Sequence, residues 1–540
     1  MSTDTPTKDF QYHVHLDPNY QLHWMFNETH IMFETVVNTT GYVGLGISES
    51  ANMFPADVAV MGVAHGKPYI YDGHTLGHSP PVLDKQQDWF LISAAEANGV
   101  TTVRFWRKLN TCDSEDRPIL DGTTRVIFSY HSDDIKPEEV HPMLYHGSNR
   151  GSRSLLLLDP PDSESPVQPL PHTIKTLDFL NANVSVPKLD TYYHCISFAL
   201  PDLGGKHHMI RYEPVVQKGH EKLVHHILLY YCESQVDPSL SGSQFDCYHG
   251  RLPEFSNCYS VMVAWAIGGQ GFDFPSHVGY PLGTDADPKF FVMETHYDNP
   301  AVRGDFVDNS GIRITLTSEL RPNDAGTLEL GSDVNNRMVI PPYSEEFLNS
   351  GYCSPDCLAE GLGDQEIHLF ANLLHSHLIG RALRTRIIRH RQELAPLAED
   401  NNYDFNYQEM RKLRKEVVVR KGDSFIVECL YRSPHKNVTT FGGLTTRDEM
   451  CLTYAMYYPR IPLTSCISQV NYHGHGNHLH WIDSFDWTKQ SSHDEFKSIT
   501  STTNVGVKCI GSKQFASNHK VHTQSSLQPT SRYQPPSLCH

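Results

Sequence analysis

Hydrophobic residues in the first part of the chain alternate with polar or small residues at the two-residue period of a β-strand. The alternation is clear in four short runs: Ile31 and Phe33; Val43, Leu45 and Ile47; Val103 and Phe105; Val126 and Phe128. A strand with this pattern has one apolar face, and packing a second sheet against that face removes it from water. We therefore predict a β-sandwich over residues 1–146.

The rest of the chain is predicted to be organised in a similar way. A polar, proline-rich stretch at 147–178, which contains DPPDSESPVQPLP, is predicted to be a linker. Two β-rich blocks, 179–318 and 319–485, are predicted to form two jelly-roll-like β-sandwiches, so the expected fold class is all-β. Within the second block, 393–415 has a partly helical pattern. Residues 486–540 contain few apolar side chains, and we expect a poorly ordered tail there.

The charge balance limits the partners that the chain can bind. It has 62 acidic and 44 basic side chains and a formal net charge of −18, whereas nucleic-acid binding requires clustered Lys and Arg. A membrane-spanning helix needs about 20 apolar residues, and the best apolar run, 261–269, is far shorter. We expect small-molecule partners, no nucleic acid and no membrane span, and the sequence leaves homo-oligomerisation open.

Cysteines and glycosylation sequons indicate an oxidising compartment. The 12 cysteines are even in number and include no Cys-x-x-Cys pair, which favours disulfides over a zinc ribbon or a thioredoxin-type site. Four sequons are candidate glycosylation sites: Asn27, Asn38, Asn183 and Asn437. The first residues have neither the basic nor the apolar segment of a signal peptide. We expect a protein of the secretory pathway, in the endoplasmic reticulum or outside the cell, and interpret this start as truncated or alternative.

Histidine is frequent, with 33 copies, and one adjacent pair lies in an apolar run. His225 and His226 are in the strand-like segment KLVHHILLYYC, where burying two imidazoles costs free energy unless each has a partner. Strand alternation sends adjacent side chains to opposite faces. A shared metal ion would therefore require a twist, a bulge or ligation through different ring nitrogens. By itself this pair is ambiguous.

A second histidine pair is a stronger metal-binding candidate. His375 and His377 are two residues apart, which places both imidazoles on one face of a strand. His296 and Met450 are further candidate ligands, although methionine is usually a core residue. Imidazole with thioether is a soft donor set that suits Cu(I), whereas calcium and magnesium require oxygen ligands. Three imidazoles in one site, and two imidazoles with one thioether in another, would make two copper centres that differ in the softness of their ligands.

The other histidine groups are interpreted without a functional metal. His207 and His208 have no third candidate ligand nearby, so we interpret them as polar loop residues. The four histidines between 473 and 480 lie among Gly and Asn near the tail. This composition is typical of a flexible loop that binds metal adventitiously.

Several motifs occur in an order and spacing that resemble a known family. VHHILLYYC, VMETHYDNP, LLHSHLIGR and DEMCLTYAMYYP are similar to segments of the copper type II, ascorbate-dependent monooxygenases, the family of dopamine β-hydroxylase and peptidylglycine α-hydroxylating monooxygenase. Upstream, YVGLGISES, FPADVAVMGV and FWRKLNTCDSED resemble the DOMON domain that precedes the catalytic core in dopamine β-hydroxylase. The similarity covers residues 1 to about 485 and indicates the dopamine β-hydroxylase-like branch.

The resemblance implies a site and an activity. It implies six copper ligands: His225, His226 and His296 for a first, electron-donating copper, and His375, His377 and Met450 for a second copper, where oxygen and substrate meet. Tyr193 and His375 match catalytic positions of the family. The implied reaction hydroxylates an activated C–H bond of a small, arylalkylamine-like substrate. It uses O2, ascorbate as the electron donor, and two copper ions per chain with electron transfer between them.

The family pattern also implies disulfides and leaves other functions open. The implied pairs are Cys195–Cys247, Cys232–Cys258, Cys353–Cys466 and Cys429–Cys451, with Cys112 and Cys357 pairing with the tail cysteines Cys539 and Cys509. The tail after about 485 does not itself resemble the family. One alternative function is a secreted, non-catalytic protein that binds copper and, through its DOMON domain, a ligand such as haem or sugar. Another is peptide amidation.

Overall fold

The structure is a computed structural model that describes residues 10–135, 145–159, 173–232, 235–250, 252–472, 478–511, 520–535 and 539. The chain forms two compact units, Met1–Pro166 with Pro535–His540, and Val167–Gln534. Strands dominate both units, which confirms the all-β prediction. Among the described residues, the helices are all too short or too polar to cross a membrane.

The first unit is built from two antiparallel sheets. Its strands are β1 (Tyr12–Asp17), β2 (Tyr20–Phe26), β3 (His30–Val37), β4 (Val43–Ser48), β5 (Ala56–Ala64), β6 (Lys67–His74), β7 (Val82–Leu83), β8 (Phe90–Ala97), β9 (Val100–Lys108), β10 (Thr124–Tyr130) and β11 (Arg150–Leu155). One sheet has the order β1-β2-β3-β9-β8, and the other has the order β11-β10-β4-β5-β6-β7.

The alternating residues of the sequence form the core of this unit. Ile31 and Phe33 of β3 and Phe105 of β9 are fully buried in one hydrophobic cluster with residues of the second sheet. The residues between them, such as Met32 and Trp106, are only partly buried and lie on the opposite face. This is the arrangement that a period of two produces when one face of each sheet is covered.

The first half of the second unit contains three sheets. Its strands are β12 (Ile174–Leu180), β13 (Val184–Ser185), β14 (Thr191–Ala199), β15 (His207–Val215), β16 (Val224–Cys232), β17 (Gln244–Asp246), β18 (Cys258–Ala266), β19 (Phe272–Asp273), β20 (Val278–Leu282), β21 (Phe290–Asp298), β22 (Val307–Asp308), β23 (Gly311–Thr317) and β24 (Asn323–Asp324). The order is β12-β23-β15-β20-β24, with β19 beside β15, in one sheet and β17-β14-β21-β16-β18 in another, and β13 pairs with β22. Pro238–Leu240 and Pro253–Phe255 form single 3-10 turns.

The second half of this unit repeats the arrangement with short helices added. Its elements are β25 (Gly326–Ser332), β26 (Val339–Ile340), β27 (Phe347–Cys353), α1 (Pro355–Leu362), β28 (Ile367–His375), β29 (Gly380–Arg389), β30 (Gln392–Glu393), β31 (Ala398–Asp400), β32 (Arg411–Val419), β33 (Asp423–Tyr431), β34 (Thr440–Phe441), β35 (Leu452–Tyr458), β36 (Leu463–Val470), α2 (His478–Ile482), α3 (Gln490–Thr502), β37 (Asn504–Gly511), β38 (Lys520–Thr523) and α4 (Gln524–Leu527). The larger sheet has the order β32-β28-β35-β25-β36-β37-β38, and the smaller has β27-β33-β29-β30 with β31 beside β29. Phe274 and Phe370 belong to one hydrophobic cluster, so the two halves share a core.

Three predicted segments differ in the structure. The linker is shorter than 147–178, because β11 pairs with β10 and β12 pairs with β23. The segment 393–415 contains strands instead of a helix, and its polar residues at 411–415 lie on β32, the edge strand of the seven-stranded sheet, where they are partly buried or exposed. The tail is not poorly ordered where it is described: β37 pairs along β36, and Phe496 of α3 is fully buried. A few apolar residues are enough to order this segment, because they pack against a core formed by the rest of the second unit.

All twelve cysteines are paired. The six disulfides are Cys112–Cys539, Cys195–Cys247, Cys232–Cys258, Cys353–Cys466, Cys357–Cys509 and Cys429–Cys451. These are the pairs that the resemblance implies, including the two that reach the tail. Disulfides of this number are typical of proteins that fold in an oxidising compartment.

Candidate metal centre

Three histidines meet where β16 lies beside β21. His225 and His226 are on β16, and His226 is directly opposite His296 of β21. The register of the two strands shifts between Val224 and His226, and such a bulge re-aims neighbouring side chains. The Nδ1 atom of His226 lies 3.3 Å from that of His225 and 3.3 Å from that of His296. We call these three residues the first histidine cluster.

Burial keeps two members of the first histidine cluster, His225 and His296, neutral. His225 and His296 are each 1% exposed. The pKa of both rings is held well below its usual range. Loss of water is the larger cause, and the neighbouring imidazoles are the smaller one. A neutral imidazole keeps a lone pair, which is the form that binds a metal ion. Ring nitrogens within 4.8 Å of one another in all three residues therefore fit a soft or borderline cation.

The outer nitrogen of His296 is held by two hydroxyl groups. Its Nε2 lies 2.8 Å from Oγ1 of Thr191 and 3.0 Å from Oγ1 of Thr446. The ring also stacks on Tyr193, with ring centroids 4.3 Å apart and an interplanar angle of 4°. The phenol of Tyr193 donates to the carbonyl of Leu444, and burial raises the pKa of this phenol well above its usual range. These contacts fix the orientation of the imidazole and direct Nδ1 toward the cluster.

The His-Ser-His segment lies at the end of a strand. His375 is the last residue of β28, and His377 is in the following turn, so the pair does not share a strand face as predicted. Nδ1 of His375 lies 2.7 Å from Oε1 of Gln408, and Nδ1 of His377 lies 3.0 Å from the carbonyl of Asp448. Each ring donates through Nδ1 in this arrangement, which leaves Nε2 for a metal ion.

The environment of this pair also favours metal binding. Burial lowers the pKa of His375 to about 4, and it holds the pKa of His377 well below its usual range. In the described residues, Nε2 of His377 is a buried atom without a hydrogen-bond partner. A buried, unpaired nitrogen costs free energy, and coordination to a cation would remove that cost.

One carboxylate ties the His-Ser-His turn to Met450. Glu449 accepts hydrogen bonds from the Ser376 hydroxyl at 2.8 Å and from the backbone N–H groups of His377 and Ile379 at 2.8 and 2.7 Å. The next residue is Met450, whose carbonyl accepts a hydrogen bond of 2.6 Å from the phenol of Tyr431. The backbone around the thioether is therefore fixed relative to the two histidines.

Members of both sets of candidate ligands line one cavity. The ring centroids of His226 and His375 are 6.0 Å apart. Both rings line a cavity of about 100 Å³, together with Met450. Most of the remaining lining is aromatic or aliphatic, and two carboxylates, Glu294 and Glu329, are part of it. The structure thus brings three of the six sequence-predicted ligands, His226, His375 and Met450, to a single cavity.

The remaining histidine predictions have mixed outcomes. His207 and His208 lie on β15 instead of in a loop, and they are buried. Nε2 of His208 lies 2.8 Å from Oδ1 of Asp324, and Nδ1 of His207 lies 3.0 Å from the carbonyl of Gly205, so both have structural partners. In the group between 473 and 480, residues 473–477 lie outside the described residues.

Several residues of the site have no signal in the sequence. Gln408, Thr191 and Thr446 come from three separate places in the chain and meet the predicted ligands only through the fold. Glu449 could have been suspected, because it is adjacent to Met450 in the motif DEMC. The sequence gives no sign that Glu449 contacts the His-Ser-His turn, which lies about seventy residues earlier in the chain.

The fold is all-β, and the candidate site combines imidazole and thioether donors, a set that suits copper. The family models named "Copper type II ascorbate-dependent monooxygenase" match residues 177–303 with the N-terminal domain and 323–478 with the C-terminal domain. The DOMON domain model matches residues 16–131.

Whole-chain comparisons give the same result. DBH-like monooxygenase protein 1 of Mus musculus is 44% identical over 86% of this chain and 76% of its own length. Dopamine beta-hydroxylase of Rattus norvegicus is 32% identical over 87% of this chain and 76% of its own length. The chain belongs to the copper type II ascorbate-dependent monooxygenase family, with DBH-like relatives. The cytochrome b domain of pyranose dehydrogenase from Coprinopsis cinerea covers 25% of this chain and 75% of that chain at 15% identity and a TM-score of 0.22, too low to support an inference.

Proposed function

We propose that this chain is a copper-dependent monooxygenase that hydroxylates an activated C–H bond of a small, arylalkylamine-like substrate. O2 and ascorbate are its co-substrates, and it binds two copper ions. The observation that carries the proposal is that one member of the first histidine cluster, His226, and one histidine of the His-Ser-His turn, His375, line the same cavity with their ring centroids 6.0 Å apart. A short separation suits the transfer of an electron from one centre to the other.

The chain's residues would divide the work between the two centres. His225, His226 and His296 would hold the first ion through Nδ1, and His375, His377 and Met450 would hold the second. When bound, copper supplies the one-electron chemistry and the activation of dioxygen. The thioether of Met450 favours the reduced state at the second centre. The protein itself positions the ligands, excludes water from the cavity and orients the substrate.

We propose different roles for Tyr193 and His375. Tyr193 remains protonated because its pKa is raised, and it stacks on His296, so we assign it a positioning role at the first centre. His375 is a ligand that faces the cavity directly, and Gln408 fixes its tautomer. His375 is therefore the residue of the pair that would lie beside the reacting atoms.

The cavity lining supports an amine as the substrate. Aromatic and aliphatic side chains such as Trp265 and Leu373 would pack against an aryl ring. Glu294 accepts a 2.8 Å hydrogen bond from the phenol of Tyr248, and Glu329 lies in the same lining. Burial raises the pKa of Glu329 to about 7. A carboxylate in an apolar cavity gains a partner when a cationic amine binds, because the pair neutralises a buried charge.

Copper content and oxygen uptake together test the proposal. Met450→Ile should lower bound copper from two ions per chain to one and abolish ascorbate-dependent oxygen uptake while circular dichroism is unchanged. Met456→Ile is the matched control, because Met456 is a buried residue of β35 that is not a predicted ligand. A purified chain that cannot be reconstituted with copper would overturn the proposal. Two bound coppers with no oxygen uptake on a panel of arylalkylamines would favour the non-catalytic alternative.

We also propose that the chain folds in the secretory pathway. The support is six disulfides and four exposed sequons, with side chains at Asn27, Asn38, Asn183 and Asn437 on the surface. Expression behind a secretion signal should give a product whose mass falls after treatment with peptide N-glycosidase. Substituting the four asparagines by glutamine should remove that change. An unchanged mass in the parent chain would contradict glycosylation.

A further inference from the structure

The outer face of the five-stranded sheet in the first unit carries a row of soft and aromatic side chains. Met25 of β2 is directly opposite Met32 of β3, and Met32 is directly opposite Trp106 of β9. Phe90 of β8 continues the row and stacks on Trp106 with ring centroids 4.6 Å apart. All four are partly buried or exposed, whereas the intervening residues on the same strands fill the core.

A histidine adjoins this row on the same face. His30 is two residues before Met32, so both side chains lie on one side of β3. Its Nδ1 lies 2.7 Å from Oγ1 of Thr29, which leaves Nε2 as the nitrogen available to a ligand. The His30 ring is 5.2 Å from that of Trp106. Met25, His30, Met32 and Trp106 line one depression of about 430 Å³.

The usual structural explanation for methionine does not apply to this face. Methionine commonly fills gaps in a core, but here two of them lie on the side of the sheet away from the core. Directly opposed residues in an antiparallel pair have Cβ atoms roughly 5 Å apart, so their two flexible thioethers can reach a single ion. An imidazole on the same face completes a three-donor set.

We infer that Met25, His30 and Met32 form an accessory binding site for one Cu(I) ion. Two thioethers and an imidazole are neutral, soft donors that select Cu(I) over zinc, calcium or magnesium. The indole of Trp106 beside them would stabilise the positive charge through its π face. This site is separate from the residues of the candidate metal centre, and it does not depend on the proposed monooxygenase activity.

Silver binding tests this inference in the full chain. Ag(I) is a redox-inert probe of Cu(I) sites, and it should bind in one more equivalent to the parent chain than to Met25→Leu/Met32→Leu. His30→Gln should weaken the same equivalent. Met53→Leu, at a partly buried methionine of the same unit, should leave the stoichiometry unchanged. Leucine preserves volume on this exposed face, and equal melting temperatures would show that the fold is intact.

Fluorescence gives an independent measurement. Ag(I) should quench the emission of Trp106, and Trp106→Phe should abolish this quenching while keeping the extra equivalent of silver. Equal stoichiometry and equal quenching in the parent chain and in Met25→Leu/Met32→Leu would overturn the inference. A Soret band after addition of haemin, without the extra silver equivalent, would also overturn it and assign the depression to haem instead.

Discussion

The hydroxyl of Thr446 lies 3.0 Å from Nε2 of His296, although the two residues belong to different copper domains. Thr446 is four residues before Met450, in the loop 442–451 that connects β34 to β35. Two further contacts join this loop to the first copper domain. The phenol of Tyr193 donates to the carbonyl of Leu444, and Arg447 forms an ion pair of 2.6 Å with Asp190. Thr446 contacts the first candidate centre and is four residues before Met450 of the second. A displacement of the loop at one centre can therefore move a candidate ligand of the other.

Replacing Thr446 by valine should weaken copper binding at the first centre. Valine keeps the volume of threonine but removes the hydroxyl that contacts His296. Outer contacts of metal-ligating histidines contribute about 10- to 100-fold in metal affinity, and competition with a copper chelator would measure the loss. Thr445→Val is the matched control, because the Thr445 hydroxyl donates to Oδ2 of Asp448 at 2.8 Å instead. Equal affinities for the two variants would contradict a role for Thr446 at His296.

Replacing Gln408 by leucine should affect the second centre selectively. The Gln408 amide oxygen, 2.7 Å from Nδ1 of His375, selects the tautomer that leaves Nε2 for copper. Its removal should lower copper affinity at the second centre by about 10- to 100-fold without loss at the first. Gln408→Glu retains an acceptor and should restore most of the affinity. If the leucine variant binds both coppers as the parent does, the tautomer is set by something else.

The acidity of Glu329 predicts a pH dependence of substrate binding. Burial raises the pKa of Glu329 to about 7, so this carboxyl group gains a proton as the pH falls below about 7. A cationic amine binds the ionised form, and KM for an amine substrate should therefore increase as the pH is lowered from 8 to about 6. Glu329→Gln should have a high KM with no dependence on pH over this range.

A surface carboxylate provides the control for that experiment. Glu346 is exposed, and Glu346→Gln should keep both the KM and the pH profile of the parent chain. A KM that falls on acidification, or the same profile in Glu329→Gln, would show that Glu329 does not bind the amine.

The sequence predicts the strands of the fold more fully than it predicts the candidate site. Alternation at residues such as Ile31 and Phe33 specifies strands directly, because a covered sheet has a period of two. The site needs more than periodicity: the ring nitrogens of His225 and His226 lie close together beside a bulge in the strand pairing, and nothing in the local sequence encodes that bulge. Composition was misleading in the tail, where Phe496 and Cys509 are buried against a core formed by distant residues.

Removing the disulfide between Cys357 and Cys509 should destabilise the second unit. The bond joins α1 to β37 across 152 residues of sequence, and β37 lies inside the seven-stranded sheet between β36 and β38. Native disulfides contribute about 2–5 kcal/mol, partly by restricting the unfolded chain. Cys357→Ser/Cys509→Ser should therefore lower the melting temperature of the second unit, measured by differential scanning calorimetry.

The disulfide between Cys112 and Cys539 offers a matched control in the other unit. Both of its residues belong to the first unit, so Cys112→Ser/Cys539→Ser should shift only the transition of that unit, provided that the units melt separately.

A truncation after residue 485 should lower the melting temperature of the second unit more than loss of Cys357–Cys509 alone, because it also removes β37 and exposes the edge of β36. If the truncated chain instead melts at the parent temperature, the segment from 486 onward does not stabilise the sheet, and the pairing of β36 with β37 has no energetic consequence.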